Sequence, residues 1–145
     1  MFENKWDERF LEMAQLVSTW SKDPSTGIGC VIAKGNRLVS IGFNGYPGKI
    51  KDSLDDSREL KLSKTIHAEM NAIMFAPAGV KYCTLYVTPF PPCDKCGALI
   101  VQSGISRIVI GLQHNLDYAR WEQFIEIAQD MFLEANILVE RMYMK

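Results

Sequence analysis

No stretch of this 145-residue chain is apolar for long enough to cross a bilayer as a helix. The first residues, Met1-Phe2-Glu3-Asn4-Lys5-Trp6-Asp7, carry charge where a secretory leader needs an apolar run. Charge of one sign is also lacking. With 16 Lys+Arg against 17 Asp+Glu, a formal net charge of −1 provides no overall basic field for a nucleic-acid backbone. Repeats, linkers and low-complexity segments are absent. These gaps argue against a membrane protein, an exported protein and a nucleic-acid binder. The expectation is a cytoplasmic protein (host cytoplasm if the source is a virus) with one domain over residues 1–145. Cysteine is sparse, at four residues. In a reducing compartment these are thiols, and a Cys-x-x-Cys pair reads as metal-binding or redox-active before it reads as a disulfide.

What is present, at 48% hydrophobic residues, suffices for one core. Apolar spacing of three and four predicts a helix over residues 4–21. Trp6, Phe10, Met13, Ala14, Val17 and Trp20 face inward, Asp7, Glu8, Glu12 and Gln15 face outward, and Asn4 is the N-cap. Pro24 and Gly27 break that pattern. Residues 29–34 and 37–43 read as a hairpin around Gly35-Asn36. A polar loop of about 20 residues follows, with one helical turn near residues 58–62; a solvated excursion and a lid or effector loop are both open readings. Residues 67–76, apolar all round except Glu69 and Asn71, predict a buried helix. A strand over 82–87 leads through Pro91-Pro92 to a helix over 93–103, with proline suited to the first helical position. Gly104 closes that helix, and 107–110 is a strand. Asp117 caps a helix over 118–135, whose Trp121, Phe124, Ile125, Ala128 and Phe132 face inward. Asn136 takes a left-handed C-cap, and 137–141 is the last strand. The class is α/β: one sheet with helices on both faces, and right-handed parallel crossovers at its late end.

Two stretches carry the chemistry. One contains His67-Ala68-Glu69, the other Pro92-Cys93-Asp94-Lys95-Cys96. Together they offer one imidazole, two thiols and a carboxylate: three metal ligands and a separate acid/base. A structural zinc site closes with four protein ligands, whereas a catalytic one leaves a position for water. Cys93 and Cys96 share a face of the first helical turn, where the positive end of the helix stabilises thiolates. His67 starts the other helix. Side chains of a first turn lean back toward the N-terminus, so His67 can reach a metal while Glu69 reaches the space beside it. Burial in an apolar helix raises the Glu69 pKa, which suits a group that takes and returns protons. Cys30 or Cys83 as a fourth ligand would make the site structural instead.

His-x-Glu followed by Pro-Cys-x-x-Cys is the signature of the zinc nucleobase deaminases, and the chain resembles the cytidine/deoxycytidylate deaminase superfamily over nearly its whole length. The deoxycytidylate (dCMP) deaminase branch is the most similar, through residues 21–26 (Ser-Lys-Asp-Pro-Ser-Thr), 42–47 (Gly-Phe-Asn-Gly-Tyr-Pro), His67-Ala68-Glu69-Met70-Asn71-Ala72-Ile73, the Cys93/Cys96 motif, and Gln102-Ser103-Gly104-Ile105. The resemblance implies a three-layer α/β/α fold with a mixed five-stranded sheet in order 2-1-3-4-5. It implies one zinc ion on His67, Cys93 and Cys96, and an enzyme that hydrolyses dCMP to dUMP and ammonia, supplying thymidylate synthesis, with Glu69 as proton shuttle. Asn44, Thr26 and Ala68 would bind base and sugar, Ser25 and Lys22 the phosphate, and His114 or Tyr118 would supply a substrate-contacting aromatic ring. Turn chemistry is the other reading of Asn44-Gly45. The resemblance also implies a homohexamer activated by dCTP and inhibited by dTTP, with Mg2+ on the triphosphate. Gly45, Tyr46, Gly48, Lys49 and Lys51 are the effector candidates, because glycine-rich loops let backbone N–H groups approach phosphates. Two departures stand out. The loop before His67 has no Cys or His for a second zinc, and Pro77-Ala78-Gly79 lies where relatives carry an arginine. Rival readings are a deaminase of a free nucleoside or base, a deaminase of tRNA adenosine, and a structural zinc protein.

Overall fold

The computed structural model describes residues 4–145. Residues 1–3, the start of the charged segment noted above, lie outside it. Along the chain run α1 (Lys5–Ser18), β1 (Gly29–Lys34), β2 (Arg37–Phe43), α2 (Arg58–Lys64), α3 (Ala68–Met74), β3 (Thr84–Thr88), α4 (Asp94–Ser103), β4 (Arg107–Leu112), a 3-10 turn (Ala119–Trp121), α5 (Glu122–Glu134) and β5 (Leu138–Tyr143). The sheet order is β2-β1-β3-β4-β5. β1 pairs antiparallel with β2 and β3, while β3–β4 and β4–β5 are parallel. The mixed sheet, its order and its parallel late end are those expected.

Pleating splits the sheet into two apolar faces. Phe10, Leu11 and Ala14 of α1 cover Val31, Ala33, Tyr86 and Val109 on one face. On the other, Ala68 and Ala72 of α3, Ile100 of α4 and Ala128 and Phe132 of α5 cover Ile32, Leu85, Val87, Ile108 and Ile110. Asn4 caps α1 as expected, its side chain accepting from the Trp6 N–H at 2.9 Å.

Two glycines set how closely the helices approach. A Cβ on Gly29 would fall on the Ala14 carbonyl oxygen of α1, and one on Gly42 would fall on the Ala68 carbonyl oxygen and the Ala72 nitrogen of α3. These obstacles are backbone, so nothing can rotate away. Gly42→Ala is therefore expected to cost about 1–3 kcal/mol as an overpacked contact. Urea unfolding of the variant against wild type will check it.

Several local expectations need correction. Asp7, placed on the solvent side of α1, is fully buried. Its carboxylate accepts from the Tyr86 hydroxyl at 2.7 Å and from Arg107, which also donates to Glu140 at 2.7 Å. Trp20 faces outward, 49% exposed, because α1 ends before it. α3 is not buried all round: Ala68, Glu69 and Ala72 are covered, but Phe75 just past its end is 71% exposed. The strand predicted from residue 82 begins at Thr84, since Tyr82 turns with φ 66°. Pro92 precedes the N-cap of α4 instead of occupying its first position. Asp117 does not cap α5, whose N-cap is Trp121; it accepts from the Ala119 N–H at 2.9 Å, one residue ahead of the N-cap of the 3-10 turn. Asn136 has the expected left-handed backbone, at φ 60°.

Candidate metal and catalytic site

His67 is the N-cap of α3 and Cys93 the N-cap of α4. Both backbones are extended there, and both carbonyls already accept the first helical hydrogen bond, from Asn71 and Gly97. An N-cap side chain projects ahead of its helix. The two helix starts lie side by side at one end of the sheet, so their caps meet. The His67 Nδ1 lies 3.2 Å from the Cys96 Sγ and 3.5 Å from the Cys93 Sγ. All three ligand atoms fall within 4.8 Å of one another. Tetrahedral zinc with ordinary Zn–N and Zn–S bonds puts its ligand atoms roughly 3.5–3.8 Å apart, so the donor set and spacing fit that ion. Among the described residues the cluster contains no fourth donor. Cys30 and Cys83 lie in the core outside it.

The electrostatics fit the same reading. The Cys93 thiol is brought down to about 4, chiefly by the hydrogen bond from Cys96 and also by His67 and the Cys96 backbone N–H. Cys96 is pushed up, because it donates to Cys93 and is buried. The pair thus shares one proton, which a dication would displace. Glu69, in the second position of α3, is 3% exposed. Burial raises its carboxyl to about 7, against the opposing pull of its own backbone N–H and His67. It can therefore gain and lose a proton near neutrality.

His67, Glu69 and Cys93 open into a cavity of about 510 Å³, a size typical of small-molecule sites. Ser25, Thr26 and Asn44, the substrate candidates implied by the resemblance, line it. The Asn44 side chain also ties down its own wall: it accepts from the Ile28 N–H at 2.8 Å and donates to the Thr26 carbonyl at 3.0 Å. The turn and pocket readings of this residue are therefore compatible.

Other candidates lie elsewhere. Lys22 does not line the cavity and sits 3.7 Å from Asp52. His114 stacks on Tyr143, with centroids 4.1 Å apart, beyond the cavity wall. The Tyr118 hydroxyl is taken by the backbone, donating to the Pro89 carbonyl at 2.8 Å and accepting from the Gln113 N–H at 2.9 Å. Ala68, the first residue of α3, is buried in the core and does not line the cavity. Gly45 bridges to Ile66, and the Tyr46 hydroxyl donates to Asp56 at 2.8 Å. Neither of these lines the cavity, nor do Gly48, Lys49 and Lys51. Sequence reasoning missed Phe90, Trp121, Arg58, Lys61 and Arg120, all of which line it. The 58/61/62/65 spacing within the polar loop was the one available sign of a cavity-facing helix.

A family model described as the cytidine and deoxycytidylate deaminase zinc-binding region matches residues 4–112. An uncharacterized deaminase of Aliivibrio fischeri is 50% identical over 137 residues, covering 94% of this chain and 92% of that protein. The Mus musculus deoxycytidylate deaminase is 39% identical over 114 residues, covering 72% of this chain and 64% of its own length. Among solved structures, the dCMP deaminase of cyanophage S-TIM5 in complex with dCMP and dUMP superposes with a TM-score of 0.77 at 20% identity. It covers 98% of this chain and 100% of the phage chain, a likeness of fold.

Proposed function

This chain belongs to the cytidine and deoxycytidylate deaminase family, and we propose that it hydrolyses dCMP to dUMP and ammonia as one zinc deaminase domain over residues 1–145. One observation carries the reading: three ligand atoms from two helix starts meet within 4.8 Å, and two of their residues, His67 and Cys93, open with the buried Glu69 carboxyl into a cavity. The structural-zinc alternative requires a fourth donor, and the cluster offers three among the described residues. Similarity to deoxycytidylate deaminases supports the choice of nucleotide.

His67, Cys93 and Cys96 would hold the ion. Zinc supplies a Lewis acid that makes water nucleophilic near neutral pH. The protein's own work is to bind the pyrimidine and move protons. Thr26 and Asn44 form the wall beside the base. Glu69 would accept the proton that the attacking water gives up and place it on ring nitrogen 3. It would then take the proton of the new hydroxyl on carbon 4, as that becomes the carbonyl, and deliver it to the 4-amino nitrogen, which leaves as ammonia. A carboxyl near 7 is matched to both directions of transfer.

Ammonia release from dCMP, deoxycytidine, cytidine and guanine tests this. Turnover of dCMP alone at a useful rate is expected. Good turnover of deoxycytidine with none of dCMP would overturn the nucleotide assignment. The reading extends to a cytoplasmic homohexamer activated by dCTP and inhibited by dTTP, each with Mg2+. The exposed Gly48, Lys49 and Lys51, next to the half-buried Gly45, support a second site, since both glycines border open space and these residues lie off the catalytic cavity. The same assay with both triphosphates covers this extension.

A further inference from the structure

α2 has no residue in the core. Leu60 and Leu62 are 42% and 52% exposed. Nevertheless the helix is firmly placed. Ser57 caps it through the Leu60 N–H at 3.1 Å. Lys64 at its end reaches Asp56 at 3.1 Å, and Ile66 just beyond it bridges to Gly45. What this placement achieves is a cavity wall: Arg58, Lys61, Leu62 and Thr65 line the cavity, at the spacing that keeps residues on one helix face. Arg120, from the 3-10 turn before α5, lines it too. Among the described residues none of these three cations has an ion-pair partner. The two acids at the same rim are already engaged. Asp23 accepts from the Ser25 and Thr26 N–H groups, and Asp117 accepts from Ala119.

We propose that Arg58 and Lys61 of α2, with Arg120, bind the 5′-phosphate of the substrate and make the enzyme specific for a nucleotide over a nucleoside. A base held over His67 and Glu69 leaves its sugar phosphate to the cavity rim, where unpaired cations face a group of charge near −2. Guanidinium and ammonium groups suit that partner. Lys22, the cation that sequence reasoning assigned to the phosphate, is on Asp52. This inference rests on the nucleotide-deaminase reading.

The test compares wild type with the Arg58→Gln/Lys61→Gln double variant, using kcat/KM for dCMP and for deoxycytidine. The ratio of the two should fall at least about tenfold, through the KM for dCMP, as expected for losing two charge-assisted contacts. An unchanged ratio overturns the inference while leaving the deaminase reading intact. A readout independent of turnover uses calorimetry of dUMP and deoxyuridine binding to zinc-loaded protein. Wild type should prefer dUMP, and the preference should shrink in the double variant and with added KCl. Equal binding of the two ligands by wild type would overturn the assignment even if no substrate were turned over. Failure of the deaminase reading alone would show as absent turnover with the dUMP preference and its dependence on Arg58 and Lys61 intact.

Discussion

Glu69→Gln will keep the metal and lose at least ~10²-fold in kcat, the usual worth of a positioned acid/base. Glutamine matches the shape of the carboxyl but cannot accept the proton. The three ligands, on His67 and α4, are untouched. Metal content by atomic absorption should therefore match wild type while ammonia release collapses. A variant with full activity would remove Glu69 from the mechanism. The same substitution has a signature in stability. In metal-free protein the Glu69 carboxyl rises from 4.5 to about 7 through burial. A carboxyl whose folded pKa is raised contributes stability that is present below its unfolded pKa and is lost as pH rises through the folded value. Wild-type apoprotein should therefore lose stability between about pH 4.5 and 7 relative to Glu69→Gln, by an amount of order 3 kcal/mol from a shift of this size. Urea midpoints of both proteins across that range measure it, and parallel curves would show that the buried carboxyl is not strained by ionisation.

Asp7→Ala will destabilise the fold by about 3 kcal/mol, the lower end of what breaking a buried ion pair costs. Asp7 is fully buried and holds two partners at once, Tyr86 on β3 and Arg107 on β4. Its loss leaves the Tyr86 hydroxyl without its acceptor and takes one partner from a guanidinium that is 20% exposed. Glu140 still holds the Arg107 Nε, which keeps the cost from the upper end. Of a domain's ~5–15 kcal/mol, that is a large share. Asp7→Asn, which keeps an acceptor for Tyr86, should cost less. Chemical unfolding decides, and an Asp7→Ala loss below about 1 kcal/mol would mean that Glu140 alone satisfies Arg107.

These two residues also mark what could be read from the sequence. Glu69 was legible because its chemistry is local. His67 and Cys93 are N-caps, Cys96 follows in the first turn, and short-range geometry fixes where such side chains point. The sheet order was legible from the family pattern, and the parallel late end from the spacing of strands and helices. Asp7 was not. Its spacing on α1 puts it beside other charges, and only the distant Arg107 makes burial tolerable. His114, Tyr118 and Lys22 sit in or beside loops, where tertiary packing sets side-chain direction: stacking on Tyr143, bonding to Pro89, pairing with Asp52. α3 misled through composition, since Met74 and Phe75 are apolar but exposed. The cavity's Phe90, Trp121 and Arg58 come from separate parts of the chain that meet only in the folded protein.

The placement of α2 has an evolutionary corollary. The floor of the cavity is built from helices whose inner residues belong to the core, so changes there are coupled to folding. Its cationic wall is a helix that buries nothing. On the proposed phosphate assignment, substitutions on that wall should redirect which ligand is accepted while leaving the fold almost untouched. Within one scaffold, changes at the floor are tied to the core and changes on the wall are not.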